Sequence, residues 1–312
     1  MSSIPATSRA VSRPMLNEVK KWAGFVKFSH TVFALPFALA AMAVAARADH
    51  GWPGWRLFAL ILIAMIGART CAMAFNRIVD RKFDALNPRT AGRHLPAGKI
   101  SLASAVTLCT LSAVGFVAAA WFINPLCFYL SPVALAVLCF YSLTKRFTDF
   151  THVYIGIALA LAPVGGWLAV RGTAVTPLEM VQMSVLAISV VFWLIGFDII
   201  YALQDYEFDR RHGLHSLVVA WGPQNALQAA FIAHLLMCGL LLLFGLLCRF
   251  RVAYLIGWAL IVFCLVLEHF LARRRSLNWV NNAFFRLNAV VSVVFLITTV
   301  AEVVFEGGFK LR

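Results

Sequence analysis

The sequence predicts an all-α, polytopic membrane protein. Of its 312 residues, 62% are hydrophobic and 13% are charged, and the mean hydropathy is +0.85. A typical soluble domain is about 45–50% apolar and about 25% charged, so a soluble globular protein is excluded. The apolar residues gather in long runs separated by short basic segments, which is the pattern of a bundle of transmembrane helices.

Nine apolar runs are long enough to cross a bilayer, since a transmembrane helix needs about 20 mostly apolar residues. We therefore predict nine transmembrane helices. Residues 1–27 are expected to form a polar, basic tail, and residues 28–312 a single transmembrane domain. The predicted spans are 28–47, 55–79, 101–123, 126–144, 150–170, 178–203, 225–248, 252–271 and 283–305.

The basic residues predict how the bundle is oriented. The chain has 27 Lys and Arg residues and a net charge of +14. Of these, 18 lie in the N-terminal tail and in loops on the same side of the predicted bundle. Cytoplasmic loops are enriched in Lys and Arg, so this side is expected to face the cytoplasm, with a bacterial inner membrane as the setting. This clustering explains the positive charge without a nucleic-acid partner.

A row of polar side chains ends the second apolar run. Asn76, Asp80 and Asp84 are four residues apart, and each step of four turns a helix by about 400°, so the three share one helix face. We call them the first ladder. Asp80 and Asp84 are predicted to hold Mg²⁺, which prefers oxygen ligands and binds phosphate oxygens in turn. Asn76 is expected to contact those phosphates.

A second ladder with similar spacing ends the sixth apolar run. It consists of Asp198, Tyr201, Asp205 and Asp209. Two carboxylate ladders at the ends of hydrophobic helices indicate a pair that faces one metal and phosphate site. We predict Asp205 and Asp209 as metal ligands and Tyr201 as a phosphate contact.

Basic residues accompany both ladders. Arg89 and Arg93 lie in the Pro- and Gly-rich loop after the first ladder, and the fourth run ends with Tyr141, Lys145 and Arg146. Lys and Arg bind the phosphate oxygens that a metal leaves free. These five residues are therefore predicted to bind a diphosphate. An apolar cavity that faces the cytoplasm would hold a lipid tail behind it, which makes an isoprenoid diphosphate the natural substrate.

Four motifs in this order resemble the UbiA superfamily of intramembrane aromatic prenyltransferases. They are Asn-x-x-x-Asp-x-x-x-Asp at 76–84, Arg-Thr-x-x-Arg-x-Leu-Pro-x-Gly at 89–98, Tyr-x-x-x-Lys at 141–145 and the Asp-rich ladder at 198–209. The resemblance extends over nearly the whole chain. It implies a nine-helix bundle in which Mg²⁺ assists transfer of a polyprenyl group from its diphosphate to an aromatic acid, in quinone biosynthesis.

The resemblance leaves the acceptor open. We expect 4-hydroxybenzoate, with a dihydroxynaphthoate of menaquinone synthesis as the alternative, and porphyrin- or chlorophyll-type acceptors fit the same motifs. Many members carry Asp directly after the motif Asn, whereas this chain has Arg77. That difference removes one possible metal ligand and adds a cation, so the number of metal ions is not fixed by the motif.

Two charged residues, Arg69 and Asp198, lie about two helical turns deeper than Asn76 and Asp205 respectively. A charge within a span is costly and usually functional. We predict both as catalytic residues: Arg69 would bind the acceptor carboxylate, and Asp198 would orient or deprotonate its hydroxyl group. The alternative for Arg69 is a purely structural salt bridge with an acid such as Asp198.

A secondary transporter of an anionic substrate is the competing class, because polar groups within spans also mark transport paths. A transport path would place charged groups near the middle of the bilayer, within reach of both faces. Apart from Arg69 and Asp198, the strong polar groups of this chain gather on one face. The pattern therefore favours an enzyme.

Overall fold

The computed structural model of the chain describes residues 12–27, 31–274 and 284–305. Within these ranges it contains helices and turns and no strands, which confirms the all-α prediction. The helices are α1 (Ser12–Phe25), α2 (Thr31–Ala45), α3 (Trp55–Leu86), α4 (Leu102–Ile123), α5 (Pro125–Phe140), α6 (Thr151–Arg171), α7 (Pro177–Ala202), α8 (Tyr206–Arg211), α9 (Leu217–Leu247), α10 (Val252–Arg274) and α11 (Phe285–Val304).

The chain is an integral, polytopic membrane protein. Among the described residues, 8 helical segments are long and apolar enough to cross a membrane, and each coincides with a predicted span. The apolar part of α2 is shorter, at Phe33–Ala45, where the first span was predicted. The count of nine spans therefore stays a prediction.

The outer surface of the bundle is suited to lipid. Helices α4 and α5 expose large apolar side chains, among them Leu111, Trp121, Tyr129 and Val133. A soluble protein rarely leaves such a contiguous apolar surface in water. Because helices satisfy their backbone hydrogen bonds internally, these faces lie against hydrocarbon without cost.

Helices α3 and α9 extend several residues beyond the predicted spans. Helix α3 continues to Leu86, so the first ladder lies on the same continuous helix as its apolar run. Helix α9 begins at Leu217 rather than at 225, because the Ser216 side chain caps it by accepting from the Val219 backbone N–H at 3.1 Å. A break at Gly222, with φ of 79°, separates its first turn from the predicted span.

Most of the bundle closes into a ring. Helix α2 packs on α6 and α11, and the chain of contacts α6, α7, α9, α10 and α11 returns to α2. Aromatic side chains fill the centre: Phe37 stacks on Phe295 with ring centroids 4.7 Å apart, and Trp193 lies 5.0 Å from Phe37. Helices α3, α4 and α5 pack outside this ring and present the first ladder to its end.

The packing of α2 on α6 depends on a glycine. A Cβ atom added at Gly166 would lie 2.3 Å from the backbone oxygen of Ala38, which is closer than real Cβ contacts allow. The next residue, Trp167, is fully buried in the core. Gly166 therefore permits the close approach of the two helices.

We expect Gly166→Ala to destabilise the protein by about 1–3 kcal/mol, because two backbones must separate to admit the methyl group. Gly165→Ala is the matched control, since its added Cβ would meet nothing within 4 Å. Thermal unfolding in detergent should give a lower midpoint for Gly166→Ala than for Gly165→Ala. Equal midpoints would show that α2 and α6 are less closely packed than described.

Candidate active site

All the predicted site residues line a single cavity of about 1030 Å³. The cavity lies between the ends of α3, α5, α6 and α7 and the loop after α3. The predicted site residues on its wall are Arg69, Asn76, Asp80, Asp84, Arg89, Arg93, Tyr141, Lys145, Arg146, Asp198, Tyr201, Asp205 and Asp209. The structure therefore gathers residues that are up to 140 positions apart in the sequence.

The first ladder lies on α3, as the spacing predicted. Asn76 donates a hydrogen bond from Nδ2 to Asp80 Oδ2 at 2.9 Å. Asp84 is buried, and its Oδ1 accepts from Arg93 Nη1 at 2.6 Å. The other oxygen, Asp84 Oδ2, is buried without a hydrogen-bond partner among the described residues. A lone oxygen of this kind is free to bind a cation.

The second ladder is not on one regular helix. Helix α7 ends at Ala202 and carries Asp198 and Tyr201, whereas a 3₁₀ turn at Leu203–Asp205 and the short α8 carry the other two acids. The predicted sixth span ended at 203, so Asp205 and Asp209 were expected beyond it, but the 3₁₀ turn itself was not predicted. The tighter turn brings Asp205 beside the loop after α3, where it receives the hydrogen bonds described below.

The loop after α3 folds back because its own side chains satisfy its backbone. Asn87 Oδ1 accepts from the backbone N–H of Arg89 at 2.9 Å, a local turn typical of Asn. The buried Thr90 hydroxyl donates to the backbone oxygen of Asp84 at 3.0 Å. These hydrogen bonds fix the positions of Arg89 and Arg93, which the loop carries.

Arg89 crosses from this loop to the second ladder. Its Nε donates to Asp205 Oδ1 at 2.8 Å and its Nη2 pairs with Asp205 Oδ2, which makes a bidentate pair. Its Nη1 also donates to the Tyr201 hydroxyl at 2.9 Å. Burial alone would lower the pKa of Arg89, but the hydrogen bonds and charge of Asp205, with Tyr201, raise it above its usual value. Arg89 therefore stays charged and ties the two ladders together.

The segment that ends the fourth span also reaches both ladders. Lys145 Nζ lies 3.6 Å from Asp209 Oδ2 on the second ladder. Arg146 Nη2 lies 3.5 Å from Asp80 Oδ1 on the first and donates to the Val79 backbone oxygen at 2.9 Å. Each of the two basic elements thus contacts both ladders.

Asp198 has a partner that the sequence analysis missed. His152, at the start of α6, is fully buried, and its Nδ1 lies 2.7 Å from Asp198 Oδ2. Arg69 forms no ion pair with Asp198 among the described contacts, so that structural alternative is not supported. The buried Arg69 Nε has no hydrogen-bond partner in the described part of the chain.

Three more residues of the site were not assigned to it from the sequence. Asn87 donates from Nδ2 to Asp205 Oδ1 at 3.0 Å, and Lys27 and Arg77 line the cavity. For His152, the available signal was a titratable residue two positions after the start of the predicted fifth span. Asn87 lies in a turn and Lys27 in the predicted N-terminal tail. Polar residues are common in both places, so neither residue gave a signal.

Carboxylate oxygens are the ligands that a hard cation such as Mg²⁺ prefers, but those of the two ladders do not converge on one point in this structure. Asp84 Oδ2 and Asp209 Oδ2 are both buried oxygens without a hydrogen bond among the described residues. No group of three or more acidic, His or Cys side chains converges as a ready-made metal site in that part of the chain. Each carboxylate instead contacts a basic side chain. When Mg²⁺ and a phosphate bind, the carboxylates would bind the metal and the basic side chains would bind the phosphate.

Comparisons with known proteins agree with this architecture. The UbiA prenyltransferase family model matches residues 34–290. A 4-hydroxybenzoate octaprenyltransferase of Burkholderia multivorans is 32% identical over 249 residues, covering 80% of this chain and 84% of that protein. A protein of the same name from Francisella tularensis is 27% identical over 260 residues, covering 83% and 88%.

Solved structures show the same fold. A UbiA homologue from Aeropyrum pernix K1, determined in the apo form, has a TM-score of 0.77 and 29% identity, covering 86% of this chain and 96% of that one. A UbiA homologue from Archaeoglobus fulgidus bound to GPP and Mg²⁺ has a TM-score of 0.68 and 20% identity, covering 91% and 99%.

A polytopic helical bundle with two facing acidic ladders and cations between them defines an intramembrane prenyltransferase. The family match extends over most of the chain. The protein belongs to the UbiA prenyltransferase family.

The pair of His152 and Asp198 generates a prediction about prenyl transfer. His152→Ala should lower kcat roughly 10- to 100-fold with little change in the KM of the prenyl diphosphate, because the Asp198 carboxylate loses the group that orients it. His152→Asn keeps a donor near the position of Nδ1 and should recover part of kcat. Steady-state kinetics would test this, with thermal unfolding as the check on folding. Equal loss in both variants, or a change confined to KM, would contradict a positioning role.

Proposed function

We propose that the protein transfers a polyprenyl group from polyprenyl diphosphate to 4-hydroxybenzoate and releases diphosphate, as a step of respiratory quinone biosynthesis. The observation that carries the proposal is the shared cavity, in which two acidic ladders and their basic partners lie next to apolar side chains. The names of the curated relatives support 4-hydroxybenzoate as the acceptor.

The reaction breaks the bond between the allylic carbon and the diphosphate oxygen, and both electrons leave with the diphosphate. Arg89, Arg93, Lys145 and Arg146 already point at the ladders, so they are placed to bind phosphate oxygens and offset the charge that develops. Asn76, Tyr141 and Tyr201 line the same wall and are assigned to the diphosphate as well.

Mg²⁺ is assigned to Asp80, Asp84, Asp205 and Asp209. When bound, it would neutralise diphosphate charge and favour its departure. Asp84 Oδ2 and Asp209 Oδ2 are buried and accept no hydrogen bond among the described residues, which supports this assignment, as does the binding of GPP and Mg²⁺ by the Archaeoglobus fulgidus homologue.

The acceptor is assigned to the deeper part of the cavity. Arg69 is half-buried, and its buried Nε has no hydrogen-bond partner among the described residues, which suits binding of the carboxylate of an aromatic acid. Asp198, held by His152, is placed to accept the proton of the acceptor hydroxyl, so that the ring gains electron density for attack on the allylic carbon.

The apolar side of the cavity is assigned to the prenyl chain. Phe33, Phe197 and Phe285 line it, with centroids of Phe33 lying 5.5 Å from Phe197 and 5.9 Å from Phe285. We further infer that the cavity faces the cytoplasm of a bacterial inner membrane, from the positions of the basic loops. Family membership favours this enzyme over the transporter alternative.

The test is an assay on membranes that contain the protein, with radiolabelled polyprenyl diphosphate and a panel of aromatic acids. Labelled product is expected with 4-hydroxybenzoate. Product with a dihydroxynaphthoate alone would move the enzyme to menaquinone synthesis, and no product with any aromatic acid would refute the proposal.

The metal assignment predicts that a chelator of divalent cations abolishes product formation and that added Mg²⁺ restores it. Asp80→Asn and Asp205→Asn should each reduce turnover by orders of magnitude, because they keep the shape of the side chain and remove its charge. Membrane insertion should be unaffected, as measured by protein recovered in detergent. Full activity in excess chelator would remove the metal assignment.

The acceptor assignment predicts a selective effect at Arg69. Arg69→Lys keeps the charge but loses the planar fork that binds a carboxylate at two points. The KM of the acceptor should therefore rise far more than that of the prenyl diphosphate. Steady-state kinetics in which each substrate is varied separately would decide. An unchanged acceptor KM together with weakened diphosphate binding would place Arg69 among the phosphate contacts.

A further inference from the structure

Arg77 is a buried cation without an evident structural role. Its residue surface is only 7% exposed, and its side chain lines the cavity. No hydrogen bond or ion pair of the Arg77 guanidinium occurs among the described residues, unlike Arg81 one turn later, whose Nη1 donates to the Ile78 backbone oxygen at 2.8 Å.

A guanidinium that is buried in a membrane protein without a partner is costly. The cost is offset when a ligand of opposite charge completes the site. The surroundings of Arg77 point to an anion, because eight Lys and Arg side chains line the cavity against five Asp side chains. The cavity next to Arg77 thus holds more positive charge than its own groups neutralise.

Among the described residues, no carboxylate on the cavity wall forms an ion pair with Arg77, and each already contacts another basic side chain. The pairs are Asp80 with Arg146, Asp84 with Arg93, Asp198 with His152, Asp205 with Arg89 and Asp209 with Lys145. The missing partner of Arg77 must therefore come from outside the described chain.

The position of Arg77 along α3 selects which part of the substrate it meets. It lies three residues, or about 4.5 Å along the helix axis, from Asp80. Its spacing of seven residues from Asp84 puts both side chains on nearly the same helix face. Arg69 lies eight residues earlier, about 12 Å deeper. Arg77 is thus at the level of the ladders rather than at that of the acceptor site.

We infer that Arg77 binds the diphosphate of the prenyl substrate and is a determinant of its affinity. The inference rests on the proposed function and adds a residue to it. The guanidinium supplies two or more donors and a fixed positive charge at the inner edge of the phosphate site. It would therefore contact the leaving group on the side nearest the allylic carbon, whereas Arg89, Arg93, Lys145 and Arg146 approach through the ladders.

The experiment measures binding of inorganic pyrophosphate to the purified full-length protein in detergent, with Mg²⁺ present throughout. We expect Arg77→Gln to weaken pyrophosphate binding about 10- to 100-fold, because a charge-assisted pair is lost. The KM of the aromatic acceptor should stay within about twofold, since that site is separate.

Arg81→Gln is the matched control, because it removes the same charge from the next turn of the same helix and Arg81 does not line the cavity. Its pyrophosphate affinity should match that of the unmodified protein. If Arg77→Gln does not fold, Arg77→Lys is measured instead, and a smaller but clear loss of affinity is expected because the charge is kept and the fork is lost.

Unchanged pyrophosphate affinity in a folded Arg77 variant would overturn the inference. A raised acceptor KM with normal pyrophosphate binding would also overturn it and would assign Arg77 to the acceptor carboxylate. Because pyrophosphate binding requires no acceptor and no turnover, a protein that binds it through Arg77 but prenylates no aromatic acid would refute only the proposed function.

Discussion

The bidentate pair of Arg89 and Asp205 is the interaction on which the site depends. It joins a loop that leaves α3 to the turn that follows α7, so it fixes the separation of the two ladders. Asn87 donates to the same carboxylate, and its own oxygen shapes the loop that carries Arg89. A charged pair at a membrane boundary stabilises only when its geometry is good and its remaining atoms are bonded, and both conditions hold here.

The same requirement explains the composition of the whole cavity. Five carboxylates would repel one another in a poorly solvated space, and each therefore contacts a basic side chain from a different part of the chain. After this pairing, the buried Arg77 and the half-buried Arg69 have no hydrogen bond or ion pair in the described chain, and Arg69 Nε is a buried atom without a partner. The charges of the cavity wall are thus mostly paired with one another. Arg77, at the level of the ladders, and Arg69, deeper in the cavity, remain available to bind an anion.

Much of the site could be predicted from the sequence because its residues repeat a spacing. A period of four indicates a helix face, and long apolar runs indicate the spans, so the ladders and the long helices α3 to α7 and α9 to α11 were located before any contact was known. His152 could not be predicted to meet Asp198, because nothing in either segment indicates that α6 and α7 place those two positions together. The 3₁₀ turn at Leu203–Asp205 was also hidden, since it changes the direction of the chain without changing the spacing of the acids.

The apolar wall of the cavity depends on polar groups that lie behind it. The Trp193 ring packs on Phe33, Phe37 and Phe197, and its Nε1 donates to Asn288 Oδ1 at 2.8 Å. Asn288 in turn donates to the buried Glu268 at 2.7 Å. A hydrogen-bonded indole has one orientation, whereas a purely aliphatic wall would repack around any ligand. The apolar wall of the cavity is therefore fixed by hydrogen bonds between helices that are distant in sequence, just as the ladders are fixed by ion pairs between distant segments.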